Sequence, residues 1–137
     1  MATSVRRVDY FYATVEGEPS DAYDLLTHLA QLGINLLALT VIPSGPDATQ
    51  LTLFPDDRNQ LIAAAEQARL TLNGPHPALL VQGDDVVGAL AGIHSKLHEA
   101  DISMFASSGV TDGRGGYGYV IYLRPENAER ATRALKL

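Results

Sequence analysis

The feature that most constrains this chain is a helix-to-strand junction that occurs twice. "QLGINLLALT", Gln31 to Thr40, carries an amphipathic stretch into Gly33 and out as an apolar strand with hardly a residue of connection. "EADISMFASS", Glu99 to Ser108, repeats the pattern 68 residues later. An internal repeat of this length implies two matched supersecondary units. At that offset Ala22 falls on Leu90, Leu25 on Ile93, Leu29 on Leu97, Leu32 on Ala100 and Ile34 on Ile102. Past the hairpin turn the best match becomes 69, with Phe54 on Leu123, so one added residue is expected in "VTDGRGG".

Each repeat reads in the same order. "RRVDYFYATV" is rich in aromatic and β-branched residues and predicts a strand. From Asp21 the apolar positions Ala22, Leu25, Leu26, Leu29 and Leu32 recur at helical spacing, with Ser20 placed as N-cap and Gly33 as the left-handed stop. Ile34 to Pro43 and "ATQLTLF" follow as strands, and Asp56 or Asp57 caps a helix striped by Leu61, Ile62, Ala65, Ala68 and Leu72. "NGPHP" is too rich in turn residues to stay regular. After it come the strand "ALLVQG", a helix from Gly88 to Ala100, the strands "ISMFASSGV" and "YGYVIYL", and a helix opened by Pro125.

The order β-α-β-β-α-β is that of the ferredoxin-like fold. The expected class is therefore α+β: two ferredoxin-like (βαββαβ) units in tandem, residues 1–73 and 74–137, with antiparallel sheets and helices on one face. Between Leu72 and Gly88 the sequence offers one convincing strand. Either "RLTL" supplies a short fourth strand to the first unit, or the units share or exchange an edge. If Ile34, Leu36, Ala38 and Ile42 point at the helices, then Leu37, Leu39 and Val41 form an apolar second face that needs a cover. Face-to-face packing within a homodimer, or between the repeats, would supply one.

With 46% apolar residues in 137, the chain can build a packed core. Ten basic residues scattered among sixteen acidic ones, net −6, argue against a nucleic-acid partner, because phosphate affinity comes from clustered Lys and Arg. The absence of Cys rules out a disulfide framework and fits a reducing compartment. "MATSVRRVDYFYATV" has no apolar core of a signal peptide, and no run approaches eighteen apolar residues. A cytoplasmic protein with no membrane partner is expected.

Motifs that carry chemistry are sparse. "GRGGYG" meets the letter of G-x-G-x-x-G, but it joins two strands, whereas a phosphate loop follows a strand and opens a helix. His94 and His98 stand four apart on one helix, a spacing that lets two imidazoles share a metal. Local sequence places no third ligand, and His94 takes the position of Leu26 at the edge of an apolar stripe. The pairs Asp56-Asp57 and Asp84-Asp85 look like caps and loop acids. There is no G-x-S-x-G and no H-E-x-x-H. No catalytic residue, metal or cofactor is expected.

"LAQLGINLLAL" resembles the helix-to-strand junction of ACT domains, small regulatory modules that bind amino acids. "VVGALAGIHSKLHEADISMFAS" is similar to their opening signature, in which a loop ending in Pro-Gly precedes an apolar helix, and the two-unit chain resembles stand-alone tandem ACT proteins. Two departures stand out. Pro19-Ser20 replaces Pro-Gly in the first unit and Val87-Gly88 in the second; Asn35 matches a family Asn whose counterpart in the second unit is Ser103. The resemblance implies a pocket where one unit's loop meets the second strand of its neighbour. Physical reasoning points to the same loops. A helix N-terminus seats a carboxylate, and a glycine there lets a ligand approach the backbone. Gly88, Ala89 and Leu90 meet that description, Ser20 meets it less well, and Asp85 offers an acceptor for an ammonium. The expected ligand-binding residues are Ser20, Asn35, Asp85, Gly88, Ala89, Leu90 and Ser103. The expected function is non-catalytic regulation through an amino acid or similar ligand bound at the interface between units, in a homodimer joined through sheet faces or edges. The competing expectation is an interaction or assembly module whose ligand pockets are vestigial.

Overall fold

The computed structural model describes residues 3–137; Met1 and Ala2, which the sequence reading assigns to the first unit, lie outside the described residues. The elements are β1 (Ser4–Glu16), α1 (Tyr23–Gln31), β2 (Leu36–Pro43), β3 (Ala48–Pro55), α2 (Arg58–Ala68), β4 (Asn73–Asp84), α3 (Ala91–Glu99), β5 (Met104–Thr111), β6 (Gly116–Leu123) and α4 (Ala128–Ala134). Single 3-10 turns, Pro19–Ala22 and Pro125–Asn127, lead into α1 and α4. The class is α+β with antiparallel strand pairs. Two compact units result: Asp9–Pro75, and residues 3–8 together with His76–Leu137.

In the unit Asp9–Pro75 the strand order is β2-β3-β1. Phe11 pairs with Leu53 and Ala13 with Leu51, and these four side chains form the core with Leu29 of α1 and Leu61 of α2. In the other unit the order is β4-β6-β5, with residues 4–8 of β1 beside β4. Leu79 pairs with Ile121 and Val81 with Tyr119, and Ile93 and Leu97 of α3 close over them. Every one of these pairs is matched 68 residues on, Phe11–Leu53 by Leu79–Ile121 and Leu36–Pro55 by Met104–Leu123.

That register corrects the expected insertion. The offset stays 68 to the end of β6, so Phe54 corresponds to Tyr122 rather than to Leu123. The length change comes afterwards and is a loss: the left-handed residues that end α2 and α4 are Arg69 and Lys136, 67 apart. Both hairpins also carry a β-bulge, at Leu36/Ala38 and at Met104/Ala106. A bulge adds one residue and thereby exchanges the faces of everything beyond it. Leu39 and Val41 therefore lie opposite Leu53 and Leu51 on the helix side, where Val41 packs on the core, and Ala38 and Ile42 take the other face. The face assignment expected from simple alternation is reversed past the bulge.

Helix ends follow one rule. Ile34 N–H donates to the Leu29 carbonyl at 3.0 Å, Leu70 to Ala65 at 2.9 Å, Ile102 to Leu97 at 2.9 Å and Leu137 to Thr132 at 2.9 Å. The residue before each donor is left-handed: Gly33 (φ 75°), Arg69 (55°), Asp101 (57°) and Lys136 (57°). This six-to-one closure satisfies orphan carbonyls and turns an apolar residue, Ile34 or Ile102, back onto its core. Helix starts match the expectation at α2 and differ from it at α1 and α3. Asp57 caps α2, its Oδ1 accepting from Asn59 N–H at 2.9 Å and Gln60 N–H at 3.3 Å. Ser20, by contrast, lies inside the 3-10 turn, where Asp21 Oδ2 accepts from Glu18 N–H at 2.8 Å. Residues 87–90 form a turn, so α3 begins at Ala91 and not at Gly88. Asn73 to Pro77 belongs to β4, whose ladder overrides the turn propensity of "NGPHP".

Candidate functional site

The connection from β4 to α3 folds back on itself. Asp85 N–H donates to the Gly115 carbonyl at 2.8 Å, Ala89 N–H to Val86 at 3.1 Å and Ala91 N–H to Gly88 at 3.0 Å, while Gly88 adopts φ 77°. Ala89 N–H is thus committed, and the N–H groups of Gly88 and Leu90 carry no hydrogen bond among the described residues. Beside this turn, against the end of β5 and the start of β6, lies a cavity of about 450 Å³. That volume lies within the usual size range of small-molecule sites. Asp85, Gly88, Ala89 and Leu90 line it with Tyr117 and Tyr119, all within the unit that contains His76–Leu137. Among the described lining residues Asp85 alone is charged.

Two tyrosines of β6, Tyr117 and Tyr119, form part of the cavity wall. Tyr119 Oη donates to Ser107 Oγ at 2.7 Å and lies 2.9 Å from His94 Nε2. The His94 and Tyr119 ring centroids are 5.6 Å apart. Tyr119 can lie there because its strand neighbour Gly109 has no side chain: a Cβ at 109 would stand 2.7 Å from Tyr119 Cδ1. Tyr117 lies across Gly83, and its hydroxyl is buried without a hydrogen-bond partner among the described residues. On the β5–β6 connection, the Asp112 carboxylate accepts from Arg114 N–H at 2.6 Å and Gly116 N–H at 3.0 Å, which holds its pKa below the ordinary carboxylate value.

The equivalent place in the other unit is built differently. Ser20 lines a smaller hollow of about 280 Å³ with Gly17, Glu18 and Pro43. There Thr49 Oγ1 donates to the Gly17 carbonyl at 2.9 Å, and the Asp21 carboxylate sits on Glu18 N–H. Asn35 is exposed, and its carbonyl accepts from Asp56 N–H at 2.9 Å, a backbone role. Ser103 is exposed just before β5, whereas the cavity touches the far end of that strand at Gly109 to Thr111. At about 3.3 Å per residue this separation is roughly 20 to 26 Å. Of the seven expected residues, the structure gathers Asp85, Gly88, Ala89 and Leu90 around one cavity and leaves Ser20, Asn35 and Ser103 away from it. Tyr117, Tyr119, Gly109 and Thr111 line the same cavity without having been expected. Among the described residues no three His, Asp or Glu side chains gather as metal ligands, and no helix is long and apolar enough to cross a membrane.

No protein-family model and no curated protein sequence matches the chain. Solved structures do. Protein BT0572 from Bacteroides thetaiotaomicron is similar with a TM-score of 0.79 and 20% identity, over 96% of this chain and 88% of that one. The regulatory subunit of aspartate kinase from Thermus thermophilus, in a ligand-free form, is similar with a TM-score of 0.62 and 17% identity, over 99% and 95%. A structure of aspartokinase alpha and beta subunits is similar with a TM-score of 0.61 and 18% identity, over 98% and 95%. At these identities the likeness is one of fold alone, α+β with antiparallel strands.

Proposed function

We propose that this chain is a non-catalytic regulatory module of two tandem ferredoxin-like ACT units, and that it binds an amino acid or similar small molecule in the cavity beside α3. The carrying observation is that cavity's lining. Gly88 and Leu90 bring unoccupied N–H groups for a carboxylate, Asp85 brings an acceptor for an ammonium, and the rest is apolar or hydroxylic. The resemblance to a subunit named as regulatory in its own structure supports the same reading. Regulation would follow from linkage: the ligand favours one conformation or assembly in proportion to its differential affinity for it. A homodimer, the proposed assembly, would use exposed edges such as β5, and the proposed setting is the cytoplasm. The hollow at Ser20, with Asp21 and Thr49 holding its polar groups, is proposed as vestigial.

The test is thermal unfolding of the purified chain against the twenty amino acids at millimolar concentration. A ligand at about a hundred times its dissociation constant adds roughly 2.7 kcal/mol to the folded state, a clear rise in Tm. A flat panel overturns the reading and favours an interaction module.

A further inference from the structure

The equal register of the two units exposes an exchange of residues in matched cross-strand pairs. Where one unit sets Val15 beside Thr49 and Val41 beside Leu51, the other, 68 residues on, sets Gly83 beside Tyr117 and Gly109 beside Tyr119. Each glycine makes room for a ring. A Cβ at position 83 would stand 3.2 Å from Tyr117 Cε1, and one at position 109 would stand 2.7 Å from Tyr119 Cδ1. The sister unit builds the same ladder without either ring, so the ladder itself does not require them. Both tyrosines stand in the wall of the cavity of about 450 Å³.

The two hydroxyls differ in what they touch. Tyr119 Oη is engaged within its own unit, 2.7 Å from Ser107 Oγ and 2.9 Å from His94 Nε2, a polar trio that stands where the sister unit has Leu51, Leu39 and Leu26. Tyr117 is half-buried as a residue, yet its hydroxyl is fully buried with no hydrogen-bond partner among the described residues. Its counterpart Thr49 is also buried, and there the hydroxyl donates to the Gly17 carbonyl at 2.9 Å. One ladder position thus satisfies its hydroxyl in one unit and leaves it unspent in the other. A buried hydroxyl without a partner is costly, and a polar atom entering the cavity relieves that cost. We infer that Tyr117 is a specificity-determining residue of this cavity, selecting ligands whose inserted end carries a hydroxyl or carboxamide over those ending in hydrocarbon. A phenol both donates and accepts, so it pairs with either group. This rests on the regulatory-pocket reading and adds to it the residue that reads the inserted end. A hydrocarbon end leaves Tyr117 Oη unpaired, whereas a polar end of like shape does not.

The experiment measures, by calorimetric titration of the intact chain, affinity for pairs of amino acids of closely similar shape: threonine and valine, asparagine and leucine, glutamine and methionine, tyrosine and phenylalanine. The wild type is expected to bind the polar member of at least one pair about tenfold more tightly, the factor that one buried hydrogen bond supplies. Tyr117→Phe keeps the ring and should bring that ratio close to one. Without ligand, the same variant should melt no lower than the wild type, because the hydroxyl it removes has no partner in the free chain. Tyr117→Thr, which installs the residue of the sister unit, should abolish the preference as well. Equal binding within every pair, tighter binding of the hydrocarbon members, or a ratio unmoved by both variants overturns the inference while the pocket reading stands. So does a Tm lowered by Tyr117→Phe, since that hydroxyl would then already be paired inside the protein. Binding of none of the eight also overturns it, and binding of none of the twenty amino acids removes the pocket reading with it.

Discussion

Replacing the polar trio by the residues of its counterpart makes a quantitative test of the register equivalence. Tyr119→Phe alone removes two hydrogen bonds, to His94 and to Ser107. Each such bond contributes about 1 kcal/mol net when both partners are sealed from water. Tyr119 is only 8% exposed, but Ser107 is exposed and His94 half-buried, so water recovers part of the loss. The expected cost is about 1 kcal/mol. His94→Leu alone should cost a few tenths to about 1 kcal/mol, because Tyr119 keeps its bond to Ser107. The triple variant His94→Leu, Ser107→Leu, Tyr119→Leu removes every member of the network and installs the apolar set that Leu26, Leu39 and Leu51 form at the same register. Replacing all partners by apolar groups is close to neutral, offset by a volume mismatch at 119 of about 1 kcal/mol. The triple variant should therefore be no less stable than Tyr119→Phe. Urea unfolding, with Cm compared at constant m, measures this. A triple variant destabilised by the sum of its single changes would refute the equivalence, since non-additivity is what a shared network requires.

Three further outcomes follow from particular contacts. Asp57→Ala should destabilise the protein by about 1 kcal/mol and lower Tm by several degrees, because the N–H groups of Asn59 and Gln60 lose their cap; an unchanged Tm would mean that α2 does not depend on it. Gly109→Ala puts a Cβ 2.7 Å from Tyr119 Cδ1 and 3.3 Å from the Gly118 carbonyl. The ring must move, at a cost of about 1–3 kcal/mol, and the His94–Tyr119 contact should break, readable as changed His94 imidazole shifts by NMR. Asp112 carries a folded pKa below its unfolded value, so its stabilising contribution is complete above the unfolded value and is lost as pH falls through the folded one. Asp112→Asn should remove that acid-side dependence, and an Asp112 carboxyl titrating at the ordinary value would contradict the two backbone hydrogen bonds assigned to it.

Much of the architecture was legible in one dimension because the forces that set it are local and periodic. Leu25 and Leu29, or Ile93 and Leu97, recur at helical spacing whatever surrounds them, and Gly33 stops α1 because it can adopt φ 75°. The repeat itself needed only counting. Its exact register did not yield to counting: an offset of 69 in β6 sets Tyr119 against Gln50 and hides the exchange of Leu51 for Tyr119, which a constant 68 reveals.

The sequence by itself determined the element order and the core-facing stripes of the helices, since each depends on neighbours a few residues away. Only the tertiary structure decided where the bulges fall, which face of β2 meets the helices, and that His94, Ser107 and Tyr119 touch. Bulges are settled by competition between ladder hydrogen bonds and packing on both sides of a strand, a balance that no local window contains. The contact among three residues 12 to 25 positions apart arises because α3 crosses over the β5–β6 hairpin, whose pairing brings Ser107 beside Tyr119. Spacing carried no sign of it, since non-local packing alone brings those side chains together.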